Sequence, residues 1–421
     1  MAAAHEAVAP TSGHHRVREI EGLRAVAAGL VVVFHLSTAV NVTHPGLISL
    51  DAMYWMARLG PLGVAIFFVL SGFLLYQPFA QSALADEPGP ALGRYYFRRF
   101  ARIFPAYWLA LAVWLFVVGP DQVPGVGQAA EYFGLVQNYH AGSFLRGLGV
   151  AWSLVIEVSF YLVLPLLAWL LRGWRVGGTR AARARRQFVG LACMYVLGIT
   201  ARAWAAHARS PFVFQHHLWR PYRYIDLWLP SYLDWFALGM IIAVVAATVQ
   251  SGDVIPSLIE PLVRRPGVAW LCAFGVYCLL QQADYPTIVG TRYSMVQVLT
   301  RNTLMPVVAL FVIAPVALGT AGSGAIRAVL RSRVLVGVGT VSYGIYLWHL
   351  IATYQVSIWI TEGSLPRSAL VEVLLVVALT AAAATLSYFF IERPFIGWSA
   401  RIGRTSRRDS ERAKVAAVLP S

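Results

Sequence analysis

The sequence predicts an all-α polytopic membrane protein with about ten transmembrane helices. Of its 421 residues, 58% are hydrophobic and only 13% are charged, and the mean hydropathy is +0.63. Soluble globular proteins carry about 25% charged residues. Because a water-soluble fold could not bury so much apolar surface, and because the apolar segments recur along the whole chain, we expect no large soluble domain.

A transmembrane helix needs about 20 predominantly apolar residues. This criterion predicts ten spans, at residues 22–42, 60–80, 103–119, 150–171, 187–205, 228–249, 267–283, 296–319, 335–358 and 368–390. The first could be mistaken for a signal peptide, because arginines precede an apolar run that ends in small residues. Nine further spans follow it, so we interpret it as a retained anchor.

The basic residues predict that both termini lie in the cytoplasm. With the N-terminus placed there, 25 of the 34 Lys and Arg residues fall on the cytoplasmic side, as the positive-inside rule requires. The net charge of +15 is therefore explained by the topology of a chain that spans a lipid bilayer, and we expect no nucleic-acid partner. The predicted regions are a flexible N-terminal segment (1–15), a transmembrane domain (16–397) and a basic cytoplasmic tail (398–421) that we expect to be disordered.

The three cysteines lie in predicted spans and have neither metal-ligand spacing nor a disulfide pattern. We therefore predict no metal site.

Ionisable residues inside a span cost a few kcal/mol and usually face a cavity or a partner. Arg24 and His35 are 11 residues apart in the first span, which places both on one helix face with His35 about 16 Å deeper in the membrane. This arrangement suits an anionic ligand that enters from the cytoplasm and presents its reactive end to a general base. The alternative is a snorkelling arginine and a histidine that hydrogen-bonds between helices.

Two further segments contain candidate site residues. Arg99 and Arg102 are one helical turn apart and could clamp a diphosphate, although such clusters also serve topology alone. In the fourth span, Glu157 follows Ser153 by one turn on the same face. We interpret Glu157 as a group that polarises a histidine or binds an acceptor hydroxyl, or else as a structural partner of an arginine.

Weaker candidates lie in three other segments. Tyr346 and His349 share an aromatic-rich motif in the ninth span, where His349 is either catalytic support or an interhelical hydrogen bond. Ser71 belongs to a small Ser-Gly pair that indicates helix packing first and a cavity lining second. Glu392 and Arg393, at the end of the tenth span, are more typical of a helix-end salt bridge than of a site.

Taken in order, these segments resemble the acyltransferase-3 family of membrane acyltransferases. The segments are Glu21-Gly22-Leu23-Arg24 with His35, Phe67 to Phe73, Arg98-Arg99-x-x-Arg102-Ile103-x-Pro105, Trp152-Ser153-Leu154-x-x-Glu157, Tyr343-x-x-Tyr346-Leu347-x-His349 and Glu392-x-Pro394. No single segment is specific, but six in the right order are hard to produce by chance. The family often has Asp at the positions of Glu21 and Ala65, so any role of the second carboxylate is absent here or is supplied elsewhere.

The resemblance implies transfer of an acyl group, commonly acetyl, from cytoplasmic acyl-CoA to a hydroxyl of a glycan, a lipid or an antibiotic. It implies that Arg24, His35, Arg99 and Arg102 are essential, with acyl-CoA as a co-substrate and no tightly bound cofactor. Some members carry an additional hydrolase-like domain, and we expect the stand-alone form. We expect the arginines to hold the CoA phosphates, His35 to deprotonate the acceptor and Glu157 to orient the imidazole or the acceptor. An acyl-histidine intermediate is a variant of this mechanism.

Two other functional classes fit ten spans with buried polar groups. A transporter or flippase of a glycolipid or small polar metabolite would show an inverted repeat, and none is evident. A sensory or scaffolding protein would leave the Arg24–His35 register unexplained.

The acceptor is expected to be a cell-envelope glycan, a glycolipid or a secreted metabolite, in a bacterial cytoplasmic membrane. The 206–227 loop combines aromatic and donor side chains that suit a sugar, or equally an interfacial aromatic belt. These side chains are His216, His217, Trp219, Arg220, Tyr222 and Arg223.

Overall fold

The protein is described by a computed structural model in which the described secondary structure is entirely helical. The described residues are 13–49, 52, 55–56, 59–119, 125–140, 143, 146–173, 178–208, 225–250, 260, 265–282, 295–318 and 324–401. The helices are α1 (Gly13–Thr43), α2 (Leu59–Ala85), α3 (Leu92–Val113), α4 (Val126–Phe133), α5 (Ala151–Arg172), α6 (Arg180–Ala208), α7 (Leu233–Gln250), α8 (Pro266–Gln282), α9 (Met295–Leu318), α10 (Ala325–Leu330), α11 (Arg333–Thr340), α12 (Ser342–Thr361) and α13 (Ala369–Ser387).

The chain is a multi-pass membrane protein, as the sequence predicts. Among the described residues, eight helices are long and apolar enough to cross a membrane, and a ninth span results if α11 and α12 are counted together. Large apolar side chains such as Leu162, Leu271 and Leu374 are exposed on the outside of the bundle, where lipid would cover them. Each of the ten predicted spans coincides with a described helix.

Two of the predicted spans differ from simple crossings. The seventh is α8, with only 17 residues, and the ninth is broken into α11 and α12, which are bent by 72°. The break follows a run of glycine and valine residues, which are poor helix formers. In that run, Gly339 packs so closely on α1 that an added Cβ would lie 1.9 Å from the Glu21 carbonyl oxygen.

The centre of the bundle is the crossing of α2 and α7, whose side chains are the most buried among the candidate spans. A Cβ at Gly72 would lie 2.4 Å from the Phe236 carbonyl oxygen, and one at Gly239 would lie 2.0 Å from the Val69 carbonyl oxygen. Small residues allow two membrane helices to approach in this way. The Ser71-Gly72 pair therefore does pack helices, as its sequence suggests.

Prolines inside the helices leave backbone carbonyls without a helical partner, and aromatic side chains satisfy two of them. Pro165 of α5 frees the Tyr161 carbonyl, which accepts a hydrogen bond from the Tyr95 hydroxyl at 3.1 Å. Pro306 of α9 frees the Asn302 carbonyl, which accepts from the Trp235 indole at 2.8 Å. In lipid such carbonyls must find a protein partner, so these contacts hold neighbouring helices in register.

A buried ion pair joins α6 and α7 away from the predicted site. The two Nη atoms of Arg202 donate to the two carboxylate oxygens of Asp234 at 2.9 and 2.6 Å, and one also donates to the Ser231 carbonyl. Both side chains are almost fully buried. Their mutual pairing is what makes these two charges tolerable inside the bundle.

Several predictions fall on residues that the structure does not describe. These are the six candidate side chains of the 206–227 loop, residues 1–12 of the predicted N-terminal segment and residues 402–421 of the predicted tail. The three-region division of the chain stays a prediction.

Candidate active site

A cavity of about 290 Å³ lies between α1, α2, α3, α5 and α12. It brings together segments that are more than 300 residues apart in the sequence. Seven of the nine predicted site residues line it: Arg24, Ser71, Arg99, Arg102, Ser153, Glu157 and Tyr346. The other two, His35 and His349, lie next to each other but not among the residues that line the cavity.

Arg99 and Arg102 supply positive charge that no described residue neutralises by contact. They lie within α3, one turn apart. Neither guanidinium makes a hydrogen bond or an ion pair with a described residue, and the buried Nε of Arg99 has no partner. Because buried donors are normally satisfied, these two side chains are well suited to bind an anionic or carbonyl-bearing ligand.

Arg24 contributes a third guanidinium, but it is already paired within α1. Its Nη1 atom donates to both carboxylate oxygens of Glu21, at 3.1 and 2.9 Å. Arg24 also lies within electrostatic range of Arg102 and Glu157. The pairing holds this guanidinium in place and partly offsets its charge, so the unpaired positive charge of the cavity is concentrated on α3.

Glu157 is anchored through one of its two carboxylate oxygens. Its Oε1 atom accepts from Ser71 Oγ at 2.6 Å and also from the Tyr161 hydroxyl. Its Oε2 atom accepts no hydrogen bond from a described residue and is free for a ligand. Tyr161 was not among the predicted site residues, although its spacing of four residues from Glu157 places both on one helix face.

Tyrosines of α12 complete the wall of the cavity. The Tyr346 hydroxyl lies 2.6 Å from Ser153 Oγ and donates to the Val150 carbonyl at 2.9 Å. The Tyr343 hydroxyl donates to the Ile103 carbonyl at 2.9 Å, next to the α3 arginines. These contacts attach α12 to α3 and α5, so the wall is a rigid part of the helix bundle.

His35 and His349 form an interhelical pair between α1 and α12. The Nδ1 atom of His35 lies 3.1 Å from the Nε2 atom of His349, and the ring centroids are 5.0 Å apart. His349 is fully buried, and its ring centroid lies 6.0 Å from that of Tyr346. The pair is therefore connected to the cavity wall through Tyr346.

This geometry separates the two roles that the sequence suggests for Glu157. Its described partners are Ser71 and Tyr161, whereas the side-chain partner of His35 is His349. The structure thus gives no direct contact in which Glu157 could polarise His35. The remaining role, binding the acceptor or another part of the substrate through Oε2, stays a prediction.

Glu392 lies close to the arginines although it is distant from them in sequence. It ends a π-helical turn, Tyr388–Glu392, that continues α13, and it is within electrostatic range of Arg102 and Arg24. It forms no ion pair with either of these described arginines. Short π-helical segments are frequent at functional sites, and this one brings a second buried carboxylate near the cavity.

The whole set of segments is also recognised by comparison with known proteins. The sequence profile described as an acyltransferase domain, acyltransferase-3, matches residues 17–392. This chain belongs to the acyltransferase-3 family. The resemblance noted from the six motifs is therefore confirmed, and the match spans every described element from α1 to the π-helical turn.

Among curated proteins, this acyltransferase-3 chain is similar to the peptidoglycan O-acetyltransferase OatA of Listeria monocytogenes, with 26% identity over 90% of this chain and 55% of the relative. A putative O-acetyltransferase of Staphylococcus aureus is 23% identical over 89% of this chain and 56% of the relative. Nodulation protein 10 of Rhizobium leguminosarum is 32% identical over 28% of this chain and 35% of the relative.

The chain spans about half the length of these two O-acetyltransferases. No solved structure matches it significantly.

Proposed function

We propose that this acyltransferase-3 protein transfers an acyl group, acetyl in the first instance, from cytoplasmic acyl-CoA to a hydroxyl of a cell-envelope glycan, a glycolipid or a secreted metabolite. The names of the relatives, which are O-acetyltransferases, support the reaction type. The observation that carries the proposal is the pair of unpaired guanidiniums, Arg99 and Arg102, inside a cavity that also holds Glu157. Such a pair can bind the phosphate oxygens of CoA.

In the proposed orientation, the arginine-bearing end of the bundle faces the cytoplasm, which contains acyl-CoA. We propose that the N-terminus of α1 and the start of α3 lie on the cytoplasmic side of a bacterial cytoplasmic membrane, which the arginine distribution favours. A cavity of about 290 Å³ can hold the phosphate-bearing or pantetheine part of acyl-CoA, but not the whole molecule. We expect the adenosine part to remain at the cytoplasmic opening.

The spacing of Arg24 and His35 along α1 sets the distance between the CoA phosphates and the reacting thioester. Arg24 and His35 lie on one uninterrupted helix, and 11 residues at 1.5 Å each correspond to about 16 Å. An extended pantetheine arm can bridge such a distance. The phosphates would then lie among the arginines while the thioester extends beyond the cavity lining to His35, whose partner His349 lies beside Tyr346 of the cavity wall.

The proposed chemical step is a direct transfer assisted by a general base. The acceptor hydroxyl oxygen attacks the thioester carbonyl carbon while His35 takes the hydroxyl proton, so the new ester C–O bond forms as the C–S bond breaks. CoA leaves as a thiolate and takes the proton from His35. General-base assistance of this kind contributes about 10²–10⁴-fold to a rate, and Glu157 Oε2 is free to accept a hydrogen bond from the substrate.

The test uses the full chain in lipid vesicles with radiolabelled acetyl-CoA. We expect slow release of labelled acetate without an acceptor, and a rate at least about 100-fold lower in His35→Gln. The matched control is His140→Gln, because the His140 side chain is exposed and lies away from the cavity. A His35→Gln protein with wild-type turnover would rule out His35 as the base, and no turnover in the wild type would rule out acyl-CoA as the donor.

The acceptor is identified separately. Mass spectrometry of envelope glycans, glycolipids and secreted metabolites should show a class that loses its acyl group in a deletion strain. Restoration by the wild-type gene but not by the His35→Gln gene would assign that class to this enzyme.

A further inference from the structure

The hydrogen-bond partners of the two paired histidines limit which ring nitrogens can carry protons. His35 Nδ1 lies 3.0 Å from the Val31 carbonyl oxygen, one turn earlier on α1. His349 Nδ1 lies 3.1 Å from the Ile345 carbonyl oxygen, one turn earlier on α12. A carbonyl oxygen only accepts hydrogen bonds. These contacts favour a proton on each Nδ1 atom, since two lone pairs would otherwise face each other.

The contact between the rings then has only one consistent direction. A neutral imidazole carries one N–H, so the Nε2 atom of neutral His349 is an acceptor. It lies 3.1 Å from His35 Nδ1, whose proton it shares with the Val31 carbonyl. The remaining nitrogen of neutral His35, Nε2, is consequently unprotonated, and it makes no hydrogen bond with a described residue.

We propose that His349 is a positioning residue that, together with the Val31 carbonyl, holds His35 in the Nδ1-protonated tautomer, which leaves Nε2 as the basic nitrogen that takes the acceptor proton. This assignment rests on the proposed function, in which His35 is the general base. The tautomer itself is a property of the resting protein and can be measured without turnover.

The proposed arrangement also gives His349 a part in the proton transfer. When Nε2 of His35 takes a proton, the ring becomes a cation that donates through Nδ1 to the neutral His349 ring. A hydrogen bond between a charged donor and a neutral acceptor is stronger than the neutral pair that precedes it. The buried His349 thereby stabilises the protonated base, in the way that a buried acceptor orients and stabilises the histidine of a catalytic triad.

The direct test is ring ¹⁵N NMR of the full chain in lipid vesicles, with histidine labelled, at about pH 8, above the ordinary pKa of histidine. The His35 signals are assigned by their loss in His35→Gln, and those of His349 by their loss in His349→Gln. We expect His35 to be protonated at Nδ1 and unprotonated at Nε2, with His349 Nε2 as the unprotonated acceptor. A proton on His35 Nε2, or on His349 Nε2, would overturn the proposal.

A pair of variants tests the consequence for the rate. His349→Leu removes the acceptor and should lower kcat by as much as about 10⁴-fold, the cost of a wrong tautomer in a triad, with KM for acetyl-CoA unchanged. His349→Gln can place an amide oxygen near the same point and should remain within about 10-fold of the wild type. Equal losses in both variants would contradict tautomer control.

The two readouts separate the two proposals. If His35→Gln retains activity while the NMR shows the expected tautomer, the proposed general base is wrong and the hydrogen-bond assignment holds. If His349→Leu does not fold, the NMR of the wild-type protein still decides the tautomer.

Discussion

Replacement of Arg99 by alanine should weaken the binding of acetyl-CoA while leaving the fold intact. Arg99 lines the cavity, and its guanidinium makes no hydrogen bond or ion pair with a described residue. Its removal therefore breaks no described polar contact of the protein, and it relieves electrostatic repulsion with Arg102. Any loss of affinity would come from the ligand.

The size of the effect follows from the kind of contact that Arg99 can make. A hydrogen bond to a charged group contributes about 1.5–3 kcal/mol, and each 1.4 kcal/mol is a factor of 10 in Kd. The expected increase in Kd for acetyl-CoA is therefore about 10- to 100-fold. Arg99→Lys keeps the charge but loses the planar fork, so its Kd should lie between those of the wild type and Arg99→Ala.

The assay is equilibrium binding of radiolabelled acetyl-CoA to the purified protein in lipid nanodiscs, repeated at two salt concentrations. The neighbouring residue of the same type, Arg98, is exposed and does not line the cavity, so Arg98→Ala is the matched control and should bind as the wild type does. An unchanged Kd in Arg99→Ala, or an equal increase in Arg98→Ala, would refute the assignment of the α3 arginines to the donor.

Three other substitutions test different parts of the molecule. Tyr161→Phe removes one of the two hydroxyls that anchor Glu157 and should lower kcat/KM by about 5- to 30-fold, near 1–2 kcal/mol, in the acetyl-transfer assay. Gly239→Ala places a Cβ 2.0 Å from a backbone oxygen of α2 and should lower the thermal unfolding temperature in detergent. Asp234→Ala leaves Arg202 buried without its carboxylate and should cost about 3–5 kcal/mol, measured by denaturant unfolding in mixed micelles.

Each of these three has a control elsewhere in the same chain. Tyr96→Phe removes a hydroxyl that donates to a backbone carbonyl outside the cavity and should leave kcat/KM unchanged. Gly275→Ala adds a Cβ with nothing within 4 Å and should not lower the unfolding temperature. Asp86→Asn breaks the partly exposed ion pairs with Arg172 and Arg183 while keeping a side chain that tolerates the positive φ of this residue, and it should cost at most about 1 kcal/mol per pair. If a control variant and its test variant behave alike, the corresponding explanation is wrong.

Much of the architecture could be predicted because hydropathy acts on contiguous segments. Each predicted span falls on a described helix, and the helical spacing of Arg99 and Arg102 holds within α3. Helix bounds were less predictable, since α1, α3 and α6 begin several residues before their predicted spans. The 72° bend between α11 and α12 was also missed, and so was the close approach of Gly339 to α1 beside it, because a contact between helices leaves no local pattern.

The candidate site was also predictable only in part from the sequence. Arg24, Ser71 and Glu157 stand out in the sequence because polar groups inside a span need a reason. Tyr161 is an ordinary aromatic residue by that criterion, and its importance appears only when its hydroxyl is seen on Glu157. Glu392 resembled a helix-end residue until a π-helical turn brought it near Arg24 and Arg102.

The sequence by itself determined that this chain is a helical membrane protein and that its segments follow the order of the acyltransferase-3 family, because composition, spacing and order need no three-dimensional information. Only the tertiary structure decided that His35 is paired with His349 rather than with Glu157, and that the Arg99 and Arg102 guanidiniums bind no other described residue. These facts depend on contacts between helices up to 314 residues apart. Such contacts are set by how the helices pack, and no local pattern in the chain specifies them.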